Sequence, residues 1–298
     1  MPDEKTLAAC GVTIDSTTLP FPVLNVENCA GNAKISLYGG HVLSYAPAGE
    51  RPVLWMSSKS VFEPGKAIRG GVPVCWPWFG AAAEPGLPAH GFARVSMWKL
   101  AQVKKLAGDA TSVVLSLDDS DCDPALCSIK FHLELRVTVG SVLELELRAV
   151  NTGSSVETYQ AALHTYFSVS EAEKIFIHGL DNVPYTDKAP ELAGSRCVQY
   201  GDLEIDREID RVFCPSAGSV SVSDPEFRRT IRVEKCGSYS TVVWNPWIAK
   251  SRAMADFGDN EYHRMLCVEC ANVFDDVREV VPGDMSVMTQ KISVEKWD

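Results

Sequence analysis

The sequence predicts an all-β protein, a large antiparallel β-sandwich. Apolar residues fall on every odd position of 129–139, and the alternation returns over 143–149 after a Gly140-Ser141 turn. Period two marks a half-buried strand, so these two runs read as an antiparallel hairpin. No segment keeps a helical period. Short apolar runs instead recur between turn-forming residues at the spacing of two packed sheets.

Taken in order, residues 1–20 carry no clear pattern. Residues 22–45 read as short strands broken at Gly31-Asn32 and Gly39-Gly40, with His41 opening a strand. Residues 53–55 are another short apolar piece, and 57–66 a polar loop. From 67 to 98 glycine and proline are too frequent for a helix or a plain strand, which predicts a shaped loop region. Residues 112–117 alternate, and the hairpin follows with His132 on its polar face. Residues 159–169 and 174–178 read as strands, and 181–211 as an acidic loop. Strands at 220–222, 230–234, 241–244, 265–273 and 287–294 complete the chain. No linker, repeat or low-complexity tract divides it, so 1–298 reads as a single domain.

The chain has 298 residues, 46% hydrophobic and 22% charged, the balance of a globular protein. No run approaches the ~20 apolar residues of a membrane span. The acidic N-terminus lacks a secretory pattern. With ten scattered cysteines, this predicts free thiols and a cytoplasmic location. Cys267 and Cys270 form a CxxC, but the second ligand pair that a structural zinc needs is missing; no metal is expected. A net charge of −11 argues against nucleic acid as a partner. Salt screens that field beyond ~8 Å, so an anionic ligand would have to be held by local cations. No Gly-rich phosphate loop precedes a helix, which removes nucleotide-cofactor folds.

The 67–98 stretch gathers Arg69, His90, Arg94 and three tryptophans. Guanidinium groups grip phosphate or carboxylate with paired hydrogen bonds, and indole faces suit a sugar ring. A binding wall for a small polar anion and an Arg-bearing surface loop over a Trp-rich core fit this composition equally. Trp247 or Trp78 is the candidate indole for such a pocket, though among seven tryptophans in a β protein packing is the default role. Glu269 stands in an otherwise apolar run. Such a carboxylate either faces solvent or lines a cavity, where desolvation would raise its pKa toward that of a general base. His164, in a strand-like run, can exchange protons near neutrality, though a lone strand histidine is more often a core residue.

The motifs IRGGVPVCWPWFG, HGFAR, ALHTYF, EIDRVF, VVWNPW and LCVE stand in this order along the chain. In this spelling the chain resembles the hexose-6-phosphate mutarotases (glucose-6-phosphate 1-epimerases) of the aldose 1-epimerase superfamily. The resemblance implies a galactose mutarotase-like sandwich that interconverts the α and β anomers of hexose 6-phosphates, glucose 6-phosphate first. It implies His164 as the acid toward the ring oxygen and Glu269 as the base toward the C1 hydroxyl. It also implies Arg69 and Arg94 for the phosphate, and His90 and Asp210 for the sugar hydroxyls. No cofactor is implied, the partner is a small sugar phosphate, and a monomer is expected. Family members carry Gln before the HGFAR histidine; Ala89 stands here, which weakens the implied phosphate site.

Three other functions compete. An epimerase for unphosphorylated aldoses would leave Arg69 and Arg94 without counter-charges. A non-catalytic carbohydrate-binding sandwich would not need both His164 and Glu269. A glycoside hydrolase would normally need two carboxyls astride the bond, and only one stands out.

Overall fold

The computed structural model describes residues 2–297. The alternating runs fold as their period dictates: Phe131–Val139 and Leu143–Asn151 pair antiparallel, with Leu135 opposite Leu147. Their odd residues are buried and their even residues half-exposed. This hairpin lies inside an eight-stranded back sheet running from Phe176–His178 through Met285–Lys296 to Lys99–Lys105.

A second sheet of eight strands forms the front. Its order is Arg196–Val198, Pro184–Asp187, Ile209–Phe213, Ser240–Asn245, Met265–Asn272, Ala161–Leu163 and Val74–Cys75; Tyr166–Ser168 also pairs with Met265–Asn272. A smaller four-stranded sheet gathers the strands between Val12 and Pro47. The main apolar core draws on residues from Leu7 to Ile292, including Leu135 and Leu145 of the back sheet and Leu163, Val243 and Val268 of the front. The two central front strands, Ser240–Asn245 and Met265–Asn272, are buried along their whole length. One face of each meets the core, and the other is covered by loops.

The structure departs from the sequence reading in three places. Residues 181–211 are not one loop; they contain Pro184–Asp187, Arg196–Val198 and the start of Ile209–Phe213. Their polar residues hide the pattern because these strands are short and lie toward one side of the sheet. Residues 159–169 are not one strand but three pieces interrupted at Gln160 and at His164-Thr165. Two short helices also occur, Glu4–Ala9, capped by Asp3, and Trp247–Ala253. Neither is long enough to display a period. No helix among the described residues is long and apolar enough to cross a membrane.

Candidate active site

Alternation along Met265–Asn272 decides where Glu269 points. Leu266, Val268 and Cys270 join the main core. Cys267 and Ala271 belong to clusters on the opposite face, and Glu269 shares that face by period two. The register sets Val242 opposite Glu269 and Asp210 opposite Trp244, so these side chains share a patch of the front sheet. Glu269 is only 1% exposed. It is not the solvent-facing residue of an ordinary strand.

His164 reaches the same patch because the chain leaves the sheet at His164-Thr165. The His164 N–H donates to the Pro73 carbonyl (3.0 Å), and the Tyr166 N–H to the Gly71 carbonyl (2.9 Å). The imidazole stacks on the Tyr166 ring at 4.9 Å, which leaves its Nε2 3.3 Å from Glu269 Oε1. Neither oxygen of Glu269 nor Nδ1 of His164 has a hydrogen-bond partner among the described residues. Burial raises the Glu269 carboxyl well above the usual range, and Asp210 adds to the effect. Burial also pulls His164 well below the ordinary imidazole value, helped by the charges of Arg94 and Arg69. A dry setting disfavours both charged forms.

A cavity of about 180 Å³ opens over this pair, lined among others by Arg69, Phe79, His90, Asp210 and Trp244. This is below the roughly 300–1,000 Å³ of drug-sized sites, and suits a single monosaccharide. His90 adopts a positive φ of 61° and stands edge-on to His164 at 5.6 Å. Its Nδ1 accepts from the Gly80 N–H at 3.4 Å, which leaves Nε2 as the donor of a neutral ring. Burial holds His90 in that neutral form.

Arg69 lines the cavity but already has partners. Its Nε and Nη2 donate to Asp256 at 3.1 and 3.3 Å, and its Nη1 to the Tyr166 hydroxyl at 3.0 Å. Asp256 therefore supplies a counter-charge, and the argument that a neutral sugar would leave Arg69 unbalanced does not hold. Arg94 lies beside the cavity rather than among its lining residues. Its Nη2 donates to the Ala89 carbonyl at 2.7 Å, bracing the His90 loop from behind. Among the six residues expected from sequence, five thus converge and the sixth stands behind them.

Six lining residues, Phe79, Lys188, Val242, Trp244, Lys250 and Met254, escaped the sequence reading. The ammonium of Lys250 lies 2.9 Å from Glu208 and 3.6 Å from Asp210. Lys188 lies 3.9 Å from Asp210 and 5.2 Å from the Phe79 ring centre. Isolated lysines in polar stretches carry no signal of their own; of the indoles it is Trp244, not Trp247 or Trp78, that lines this cavity, because strand register rather than motif decides which one faces it.

The CxxC is settled by the same alternation that aims Glu269. Cys267 and Cys270 lie on opposite faces of their strand, both are free, and burial raises the Cys270 thiol to about 11. Glu171, Glu173 and His263 bring ligand-type atoms together elsewhere. There His263 Nδ1 lies 2.8 Å from one carboxylate and 2.9 Å from the other, which a shared ion pair explains.

A loop-covered sandwich face carrying a desolvated carboxyl–imidazole pair beside hydrogen-bond donors defines an acid–base site for a small polyhydroxylated ligand. The comparisons narrow this. A sequence model described as aldose 1-epimerase matches residues 22–293. Proteins from Escherichia coli (strain K12) and Cenchrus ciliaris, both named "Putative glucose-6-phosphate 1-epimerase", are 36% and 37% identical to the chain. The first match covers 91% of this chain and 90% of the relative; the second covers 83% and 76%. The crystal structure of a "putative mutarotase" from Salmonella typhimurium superposes with a TM-score of 0.85 at 30% identity, covering 97% of this chain and 98% of that one. The chain belongs to the aldose 1-epimerase family. It is an isomerase that interconverts the anomers of a sugar.

Proposed function

We propose that the protein equilibrates the α and β anomers of hexose 6-phosphates, glucose 6-phosphate first, with His164 and Glu269 as its proton-transferring groups. The observation that carries this is the pair itself, two buried groups 3.3 Å apart whose remaining polar atoms lack protein partners. Buried polar atoms are seldom left unpaired in native structures, and here they line a cavity of monosaccharide size.

Ring opening requires one proton delivered to the ring oxygen O5 and one removed from O1–H. The pair holds one proton, and transfer across the contact converts its neutral form to imidazolium and carboxylate. A sugar hydroxyl donating to Glu269 favours that charged form. Glu269 then takes the O1 proton as His164 protonates O5, and the C1–O5 bond breaks. Rotation about C1–C2 in the open aldehyde and reclosure on the other face give the second anomer, with the proton roles reversed. His90 Nε2–H and the Asp210 carboxylate hold sugar hydroxyls, while the charges of Arg69 and Arg94 favour a phosphorylated substrate. These steps move only protons and call on no cofactor. The same reading takes 1–298 as one sandwich domain and a monomer. Ten free thiols suit a reducing cytoplasm.

The test is to follow a freshly dissolved single anomer of glucose 6-phosphate by NMR, with the wild type, Glu269→Gln and no enzyme. Wild type should exceed the spontaneous rate, and Glu269→Gln should lose about 10²–10⁴-fold. Wild-type acceleration of glucose alone would favour a free aldose as substrate. Full activity in Glu269→Gln would remove the assigned base.

A further inference from the structure

The proposed reading leaves open which donors meet the phosphoryl group, because Arg69 is already engaged. The three nitrogens of Arg69 all donate within the protein, to Asp256 and Tyr166. Arg94 donates through Nη2 to Ala89 and keeps a buried Nε without a partner, but it lies outside the cavity lining. Lys250 Nζ donates to Glu208 at 2.9 Å. Lys188 differs. Its ammonium lines the cavity, and its nearest carboxylate lies 3.9 Å away, beyond hydrogen-bond distance.

The surroundings of Lys188 suit an anion. Its ammonium faces the Phe79 ring, and its side chain is 33% exposed, so it is neither fully hydrated nor locked. Its backbone is anchored: the Lys188 N–H donates to the Asp210 carbonyl at 2.7 Å, which extends the pairing of Pro184–Asp187 with Ile209–Phe213. A fixed backbone bearing uncommitted N–H donors meets an entering anion with little reorganisation. Lys188 shares the cavity lining with His90, His164 and Glu269, and its charge acts on all three. Around the cavity the cations Arg69, Arg94, Lys188 and Lys250 are matched by the carboxyl groups of Asp210, Asp256, Glu208 and Glu269, so an entering anion is held by individual donors rather than by a net positive field.

We propose that Lys188 donates directly to the substrate's phosphoryl oxygens and is a residue by which the enzyme prefers phosphorylated over free sugars. This rests on the hexose 6-phosphate reading above. Arg69 and Arg94 then contribute field and shape more than direct contacts.

The experiment compares wild type, Lys188→Gln and Lys188→Arg in NMR anomer exchange on glucose 6-phosphate and glucose, with inorganic phosphate as inhibitor. In Lys188→Gln, kcat/KM for glucose 6-phosphate should fall at least about tenfold more than for glucose, mainly through KM. The inhibition constant of phosphate should rise by a similar factor, and Lys188→Arg should recover most of both. Equal losses on the two sugars would overturn the proposal and mean that Lys188 acts by holding Asp210. So would unchanged phosphate inhibition. If wild type turns over glucose alone, the hexose 6-phosphate reading falls, and a ³¹P NMR titration with inorganic phosphate judges Lys188 separately. Binding lost in Lys188→Gln sustains the contact; equal binding, or none in wild type, refutes it.

Discussion

Depth sets the proton affinities of Glu269 and His164, the proposed acid–base pair. On the surface each would hold its ordinary pKa; in the site burial pushes the carboxyl up and the imidazole down. The pH dependence follows. The working pair carries one proton, and it gains a second only when the pH falls below the depressed value of His164. The acid limb of kcat/KM should therefore lie below the ordinary histidine value of ~6.5. Glucose, which does not titrate, is the cleaner substrate for this profile if it is turned over; otherwise the second phosphate ionisation near ~6 must be subtracted. An acid limb centred at ~6.5 would mean that the operative histidine is solvated. Sequence offered half of this: Glu269 was conspicuous as a carboxylate in an apolar run, but a strand residue can face water or a cavity, and only the covering loops decide which.

The 67–98 segment works through its backbone. The Gly70-Gly71 turn packs against buried His41, whose Nε2–H donates to the Gly70 carbonyl at 2.7 Å; a Cβ on Gly71 would sit 2.8 Å from that Nε2. Gly91, at φ 78°, is tighter, since an added Cβ would lie 1.9 Å from the Trp76 carbonyl oxygen. Gly91→Ala should therefore displace His90 and cost roughly 1–3 kcal/mol, read as a lower melting temperature together with reduced anomer exchange. Unchanged stability and rate would show that the loop has room. Sequence correctly predicted a shaped, non-helical segment here from its glycines and prolines. It could not reveal that His41, which reads simply as the start of a strand, braces the turn carrying Arg69.

For the whole molecule, buried neutral histidines set acid tolerance. Burial lowers His41 from 6.5 to about 4, and His90 and His164 shift in the same direction. The unfolded chain takes up protons that the folded chain refuses. Stability is thus fully present above pH ~6.5 and is lost as the pH falls toward ~4, by up to about 3 kcal/mol for His41 alone. Urea unfolding at pH 7 and 4.5 should show this loss. His41→Gln, which can keep a donor near the Gly70 carbonyl without titrating, should shrink the loss but not remove it; an identical pH dependence would refute the assignment. The all-β class, the central hairpin and the family motifs were determined by the sequence, because side-chain alternation and motif order are properties of the chain itself. The strands within 181–211 and the breaks in 159–169 were decided by tertiary pairing, since short strands gain their stability from neighbours distant in sequence. So was the cavity: Asp256 beside Arg69, Glu208 beside Lys250 and Lys188 over Phe79 meet only when the front sheet closes under its loops, and desolvation and charge act through space rather than along the chain.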